Sequence, residues 1–209
     1  MKNYKIHSNG VIQQKEIINK LQDYNIDYVA DRYDSYGELS KRMAYLRYGF
    51  LKSICKDVRS ILDVGYGDGD FLQVCKKTIQ RVGGNDITHY PLPKGVNFEY
   101  KATDNYYDVV CFFDSLEHFE DISFVKDLKC EYIYISVPLC HYNNLGSEWF
   151  KNWKHRREDE HLWHFDKNSL KHFMQDMGFE IIVYSDVEDI IRTPVDSNQN
   201  ILTGIFKRK

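Results

Sequence analysis

The stretch from residue 61 to residue 71, Ile-Leu-Asp-Val-Gly-Tyr-Gly-Asp-Gly-Asp-Phe, constrains the fold of this chain more than any other. A short apolar run is followed by glycines at alternate positions and then by an apolar helical pattern. This order is typical of a strand that leads through a glycine-rich loop into a helix, at the carboxyl edge of a parallel sheet. Glycine lets the backbone approach a ligand closely and adopt dihedral angles that other residues avoid. The stretch therefore predicts an α/β fold with a nucleotide-cofactor loop.

The charge of this loop narrows the kind of cofactor that it can bind. Asp63, Asp68 and Asp70 surround the glycines, and no lysine or arginine occurs between Arg59 and Lys76. These carboxylates would repel a diphosphate at the helix N-terminus and attract a cation. The sulfonium, amino group and ribose diol of S-adenosylmethionine (SAM) suit such a loop. NAD suits it poorly, which argues against an NAD(P) oxidoreductase.

Four stretches, in order along the chain, resemble the motifs of class I SAM-dependent methyltransferases. The glycine loop after Asp63 resembles the first motif, and Asp86 resembles the acid that binds both ribose hydroxyls. Residues 108–118, which end in Leu-Glu-His, resemble the fourth strand of the ubiquinone-biosynthesis O-methyltransferases, and residues 132–138 resemble their fifth strand. The resemblance spans roughly residues 58–209. It implies a SAM-dependent enzyme.

The resemblance also implies a fold and a set of cofactor-binding residues. The fold would be a Rossmann-like, doubly wound, mostly parallel seven-stranded sheet with an antiparallel closing strand. The amino group of the cofactor would be oriented by Asp63, and its methionine half would lie beside Phe113 and Asp114. The complete set of expected cofactor-binding residues is Asp63, Gly65, Tyr66, Gly67, Asp86, Ile87, Phe113 and Asp114.

Two histidines are the candidate catalytic residues. His118 follows the fourth strand, and a histidine has an unperturbed pKa near the working pH, so His118 is the leading candidate for a general base. The resemblance implies that His161 lines the acceptor pocket. A purely structural role is the alternative for each. Glu117 could join His118 in a divalent metal site, and His161 could share a helix face with His164. Adjacent residues rarely point the same way on a helix, and no third ligand is evident, so no metal is expected.

The expected function is methyl transfer to a small-molecule acceptor, with a hydroxyl oxygen favoured. Residues 149–157 interleave aromatic and basic side chains, which suits an anionic acceptor or single-stranded nucleic acid. The acids at 158–160 dilute that charge. The fourth strand also lacks the Asn/Asp-Pro-Pro-Tyr run typical of amino-methylating DNA enzymes. An RNA methyltransferase and a non-catalytic SAM-binding regulatory subunit are the alternatives, and the sequence does not identify the acceptor or the oligomeric state.

Composition sets the broad class of the protein. A length of 209 residues favours one domain, and a net charge of -3 does not favour a polyanion-binding protein. The N-terminus has no apolar core typical of a signal peptide, and no run approaches the ~18 apolar residues that a membrane span needs. The five cysteines are scattered without a CxxC pair, and four lie in apolar contexts. We therefore expect a cytoplasmic protein without a membrane partner.

The N-terminal part of the chain is predicted to be helical. Ile17, Ile18 and Leu21 share one helix face, and apolar residues at helical spacing continue from Leu39 to Ile54. The basic face of this second helix, which carries Arg42 and Arg47, either contacts an anionic acceptor or is solvated. Tyrosines cluster in the same part of the chain, at Tyr24, Tyr28, Tyr33, Tyr36, Tyr45 and Tyr48. Residues 1–57 are thus predicted to form a helical cap on a core of residues 58–209, and this cap and residues 138–165 would close over the acceptor.

Strands and helices are predicted to alternate after residue 60, which indicates a parallel sheet. The predicted segments are strand 61–64, helix 70–80, strands 82–87, 97–100 and 109–113, helix 121–129 and strand 132–137. Asp166 is the predicted N-cap of a further helix that Gly178 ends. Apolar runs at 180–185 and 201–206, on either side of a polar loop with Pro194, predict an antiparallel pair at the sheet edge.

Overall fold

The computed structural model describes residues 2–19, 25–27, 36–192 and 198–209. The strands in these ranges are β1 (Tyr4–Ile6), β2 (Ile12–Gln14), β3 (Ser60–Val64), β4 (Arg81–Asn85), β5 (Asn97–Phe98), β6 (Tyr107–Phe113), β7 (Cys130–Pro138), β8 (Trp163–His164), β9 (Phe179–Ser185) and β10 (Ile201–Arg208). The α-helices are α1 (Glu38–Ile54), α2 (Asp70–Cys75), α3 (Tyr142–Asn152) and α4 (Lys167–Asp176). Single turns of 3-10 helix occur at Leu116–His118, Ser123–Asp127 and Val187–Ile190.

A seven-stranded sheet with the order β5-β4-β3-β6-β7-β10-β9 forms the centre of the fold. The first five strands in this order run parallel, and β10 runs antiparallel to both β7 and β9. Helices and loops cover both faces, so the central strands are apolar on both sides. Along β6, Val110 and Phe112 pack into the core on one face, whereas Val109 and Cys111 pack on the other. The predicted sheet with its antiparallel closing strand is confirmed.

The predicted elements of the core differ from the structure mainly in length. The helix predicted for 70–80 ends at Cys75, and the helix predicted for 121–129 is a 3-10 turn at Ser123–Asp127. The N-cap prediction is confirmed, since the Asp166 side chain accepts from the backbone N–H of Ser169 in a capping box. All five cysteines are buried and free, as their apolar contexts predict.

The prediction of a fully helical N-terminal cap is wrong. Residues 4–6 and 12–14 form a hairpin that pairs with β8 in a separate three-stranded antiparallel sheet. Ile17 and Ile18 are exposed rather than buried on a helix face. The second predicted helix is present as α1, which packs against α2. Leu21, Tyr24, Tyr28, Tyr33 and Pro194 lie outside the described residues.

Candidate functional site

A cavity of about 850 Å³ lies at the carboxyl ends of β3, β4 and β6. Its walls come from the glycine loop, from α1 and from residues 154–161, so parts of both segments that were expected to close over the acceptor line it. Every predicted site residue also lines this one cavity, namely Asp63, Gly65, Tyr66, Gly67, Asp86, Ile87, Phe113, Asp114, His118 and His161. The fold therefore brings together residues that are far apart in the sequence, at the sheet edge where ligands bind in doubly wound folds.

The glycine loop needs glycine at its first position. Gly65 has a φ of +81°, and a Cβ built there would lie 2.5 Å from the Cβ of Ser115. The Ser115 hydroxyl donates to the carbonyl oxygen of Val64 at 2.6 Å, which holds the end of β6 against the loop. Ser40 of α1 donates to Asp68 at 2.6 Å, so α1 is fixed to the other side of the loop. The loop is thus clamped between β6 and α1.

Asp63 is a buried carboxylate whose hydrogen bonding is incomplete. Its side chain is buried, and Oδ1 has no hydrogen-bond partner among the described residues. Desolvation raises the pKa of Asp63 to about 7, with the Arg47 charge opposing this shift and the Asp86 and Asp68 charges adding to it. A cationic N–H donor that enters the cavity would satisfy this oxygen and stabilise its ionised form. The amino group of SAM is such a donor, so this residue fits the expected cofactor.

Asp86 is fixed by two backbone donors at the end of β4. Its Oδ1 accepts from the N–H of Thr88 at 2.8 Å, and its Oδ2 accepts from the N–H of Gly67 at 3.1 Å. Both oxygens retain lone pairs that can accept from a ligand diol. Next to it, Ile87 has 73% of its surface exposed and lines the cavity. A carboxylate beside an exposed apolar side chain suits a ribose with its attached base.

Asp114 was expected to bind the cofactor, but it does not present a free carboxylate to the cavity. Arg192 donates to its two oxygens at 2.7 and 2.5 Å, and Arg47 donates to Oδ2 at 3.4 Å. Burial acts to raise the pKa of Asp114, but the two guanidinium groups outweigh it and hold the pKa well below its usual range. Asp114 has a φ of +50°, which turns the chain sharply after β6.

The two arginines also bind a second buried acid. Arg47 donates to both oxygens of Glu188, at 2.8 and 3.0 Å, and Ser136 donates to Oε1 at 2.6 Å. Glu188 is fully buried, and both guanidinium groups line the cavity. Of the two alternatives for the basic face of α1, a solvated face is therefore wrong for Arg47. Neither Arg192 nor Glu188 was among the predicted site residues, and their only local signal is their four-residue spacing.

Glu117, His118 and His161 form what we call the Glu-His-His cluster. One potential ligand atom from each residue lies within 4.8 Å of the others, and the two imidazole rings meet edge to face at 4.6 Å. Neither Glu117 oxygen has a hydrogen-bond partner among the described residues, and the same is true of His161 Nδ1. Burial raises the pKa of Glu117 well above its usual value, and the Asp114 charge adds to this. Burial, with a contribution from His118, lowers the pKa of His161 to about 2.

The cluster corrects the expectation that no third ligand is available. Glu117 and His118 are adjacent, but they lie on a 3-10 turn that brings atoms of both near His161. The suggested helical pairing of His161 with His164 is wrong, because His164 lies on β8. His164 is buried against the rings of Phe150 and other aromatic residues, and burial lowers its pKa to about 3.

The two arginines of the aromatic and basic stretch at 149–157 are paired with the acids that follow the stretch. Arg156 pairs with Glu158, and Arg157 pairs with Glu160 at 2.8 Å. Trp149 and Trp153 stack on each other, with ring centroids 5.2 Å apart. A surface that binds nucleic acid needs basic groups that can pair with phosphates and aromatic faces on which bases can stack. This arrangement disfavours such a surface.

The helices in the described part of the chain are all too short or too polar to cross a membrane.

The sequence was compared with protein families and with curated proteins. A family model described as "Methyltransferase domain" matches residues 31–184, which is more than half of the chain. No curated protein matches the sequence.

Solved structures share the fold at low sequence identity. One matching chain comes from the complex between the Haloferax volcanii Trm112 methyltransferase activator and a methyltransferase. It is 14% identical to the present chain, the match covers 90% of the present chain and 99% of the matching chain, and the TM-score is 0.63. A Thermotoga maritima SAM-dependent methyltransferase, described as a possible histamine N-methyltransferase, is 15% identical, with 86% and 96% covered and a TM-score of 0.59. The Synechocystis magnesium protoporphyrin IX methyltransferase with bound S-adenosylhomocysteine (SAH) is 14% identical, with 82% and 84% covered and a TM-score of 0.55.

Proposed function

Because the chain belongs to the methyltransferase domain family and is an enzyme of the SAM-dependent type, we propose that it methylates a small-molecule acceptor at a hydroxyl oxygen. SAM, when bound, supplies a methyl group on a sulfonium that an oxygen nucleophile can attack. The observation that carries the proposal is that one cavity joins the acidic glycine loop to the two histidines of the Glu-His-His cluster. A cofactor site and polar side chains for the acceptor thus line the same cavity.

The cofactor end of the cavity is assigned from the unmet hydrogen-bonding capacity of its residues. Asp63 would accept from the amino group, since its Oδ1 has no partner in the described chain. Asp86 would accept from the ribose hydroxyls, and Ile87 would contact the base. Gly65 and Gly67, both with positive φ, would allow close approach of the backbone, while Tyr66 would act as a positioning residue.

The wall at the end of β6 is assigned to the methionine half of the cofactor. Phe113 lies there beneath the Arg47 guanidinium, 4.2 Å from its ring centroid. Asp114 would act through its salt bridges, as a positioning residue that keeps Arg192 in place. Two acids and two arginines make this wall close to neutral in total, so it would not repel a zwitterionic amino acid group.

The acceptor end of the cavity is assigned to His118 and His161, which would contact the acceptor oxygen. Methyl transfer requires the acceptor to be aligned with the methyl group and, for a hydroxyl, to lose its proton. The low pKa of His161 keeps its imidazole neutral at physiological pH, which suits contact with a hydroxyl proton. Lys154 also lines the cavity and would favour an anionic acceptor, whereas Arg157 is paired with Glu160. The internal ion pairs of residues 149–160 support a small molecule over a nucleic acid.

Calorimetric titration with SAH, the demethylated product, tests the cofactor assignment. We expect SAH to bind the wild-type protein and NAD to release no heat. Asp86→Ala should weaken SAH binding at least about tenfold, because charge-assisted hydrogen bonds contribute ~1.5–3 kcal/mol. Asp127→Ala, at an exposed aspartate outside the cavity, is the matched control and should bind like the wild type. Unchanged affinity of the Asp86 variant would remove Asp86 from the ribose site.

A further inference from the structure

We propose that the Glu-His-His cluster is the binding site of one divalent first-row transition-metal ion. The role that we give to the ion rests on the proposed function, whereas its binding does not. The proposal is carried by the convergence of three side chains, by the burial of Glu117 and His161, and by the position of His118 and His161 on the wall of the cavity.

The spacing of the three residues is close to that of a metal site. Their potential ligand atoms all lie within 4.8 Å of one another. Ligands at ~2.1 Å from a tetrahedral ion are about 3.4 Å apart, so the side chains need to move inward by roughly an ångström. Leu162 donates its N–H to the carbonyl oxygen of Glu117 at 2.8 Å, which ties the two chain segments of the site together.

The burial of the cluster gives an independent reason for a bound cation. Glu117 is 1% exposed, and neither of its oxygens is hydrogen-bonded within the described residues. His161 is 5% exposed, and its Nδ1 is unpartnered in the same part of the chain. A buried polar atom without a partner is costly, and proteins seldom keep one without a use. A cation would coordinate the carboxylate and a ring nitrogen at once.

The donor set decides the class of ion. Two imidazoles with one carboxylate suit Zn²⁺, Mn²⁺, Fe²⁺ or Co²⁺, whereas Ca²⁺ and Mg²⁺ prefer sites built from oxygen alone. The carboxylate of Asp114 is not counted among the ligands, because it is paired with the guanidinium groups of Arg192 and Arg47. Three protein ligands leave coordination positions open, as in catalytic rather than structural metal sites.

The position of the cluster assigns a role to these open positions. His118 and His161 line the cavity, so an ion held by them can also take an oxygen of the acceptor. Coordination to a divalent ion lowers the pKa of a hydroxyl and fixes its direction. His118 and His161 would then act as metal ligands, and the ion, in place of His118, would activate the hydroxyl, which would lose its proton to solvent before it accepts the methyl group.

Metal binding by the purified protein tests the proposal without an acceptor. After treatment with a chelator and dialysis, Zn²⁺ is titrated by calorimetry, and Mn²⁺ is followed by the loss of the free-ion signal in electron paramagnetic resonance. We expect one ion per chain. Glu117→Gln and His161→Ala should each weaken binding at least tenfold, while Glu148→Gln and His172→Ala, at exposed positions outside the cavity, should not change it.

The results separate this proposal from the proposed function. If neither ion binds the wild-type protein, or if Glu117→Gln and His118→Asn both bind as tightly as the wild type, the metal site is wrong. SAH affinity is measured on the same samples and should be the same in Glu117→Gln as in the wild type. A protein that binds the ion at Glu117 but does not bind SAH would refute the proposed function and keep the metal site.

Discussion

Replacing Asp63 with asparagine should change how stability depends on pH. Burial raises the pKa of this carboxyl from 3.8 to about 7 in the folded protein without ligand. The folded state therefore holds the proton more tightly than the unfolded state, and the free energy of unfolding falls as pH rises between these two values. Asparagine has the same shape and does not titrate, so the free energy of unfolding of the variant lacks this decrease with pH.

The size of the effect follows from the shift in pKa. A shift of one pKa unit corresponds to about 1.36 kcal/mol. The Asp63 shift therefore lowers the free energy of unfolding of the wild type by about 2.6 kcal/mol between pH 5 and pH 8. The free energy of unfolding of Asp63→Asn, relative to that of the wild type, should increase by about this amount over that range. The variant should consequently be the more stable protein at pH 8, at the cost of its cofactor affinity.

Urea unfolding of both ligand-free proteins at pH 5, 6, 7 and 8 measures the difference. Asp127→Asn, at an exposed position, is the control and should follow the wild type at every pH. A difference between Asp63→Asn and wild type that stays constant with pH, or that shrinks as pH rises, would show that burial does not disfavour the Asp63 carboxylate.

Three further predictions concern the loop and the salt bridges. SAH affinity of the wild type should rise from pH 5 to pH 8 as Asp63 ionises, and calorimetry of Asp63→Asn should show no such rise. Gly65→Ala should destabilise the protein by more than the ~1–3 kcal/mol that a left-handed backbone costs a non-glycine residue, because its Cβ would also clash with a side chain. Gly95 also has a positive φ but has open space around it, so Gly95→Ala should show the backbone cost alone when both variants are unfolded in urea. Glu188→Gln should cost about 3 kcal/mol of unfolding free energy, whereas the exposed control Glu180→Gln should cost almost none.

The glycine loop and the central strands were predictable because their signals are local. Alternate glycines and buried runs such as 109–113 specify a strand and a turn within a few residues. The hairpin at Tyr4–Ile6 and Ile12–Gln14 was not predictable in the same way, because three-residue strands are too short to show a period of two. Their burial depends on β8, which is distant in the sequence.

The candidate site was predictable where a motif marks it and not where contacts are long-range. Asp63 and Asp86 lie beside recognisable strand ends, and the fold brings them to one cavity. The pairing of Arg47 with Glu188 joins residues 141 positions apart, and the sequence gives no sign of it. The Glu-His-His cluster was discounted because neighbours on an α-helix diverge, whereas the structure has a 3-10 turn at Glu117.

A crystal structure of the protein with bound SAH would show whether Asp63 and Asp86 bind the cofactor. We expect SAH in the cavity at the carboxyl ends of β3 and β4, with its amino group hydrogen-bonded to Asp63 and its ribose hydroxyls to Asp86. Density for SAH elsewhere, or a ribose that contacts neither carboxylate, would contradict this expectation.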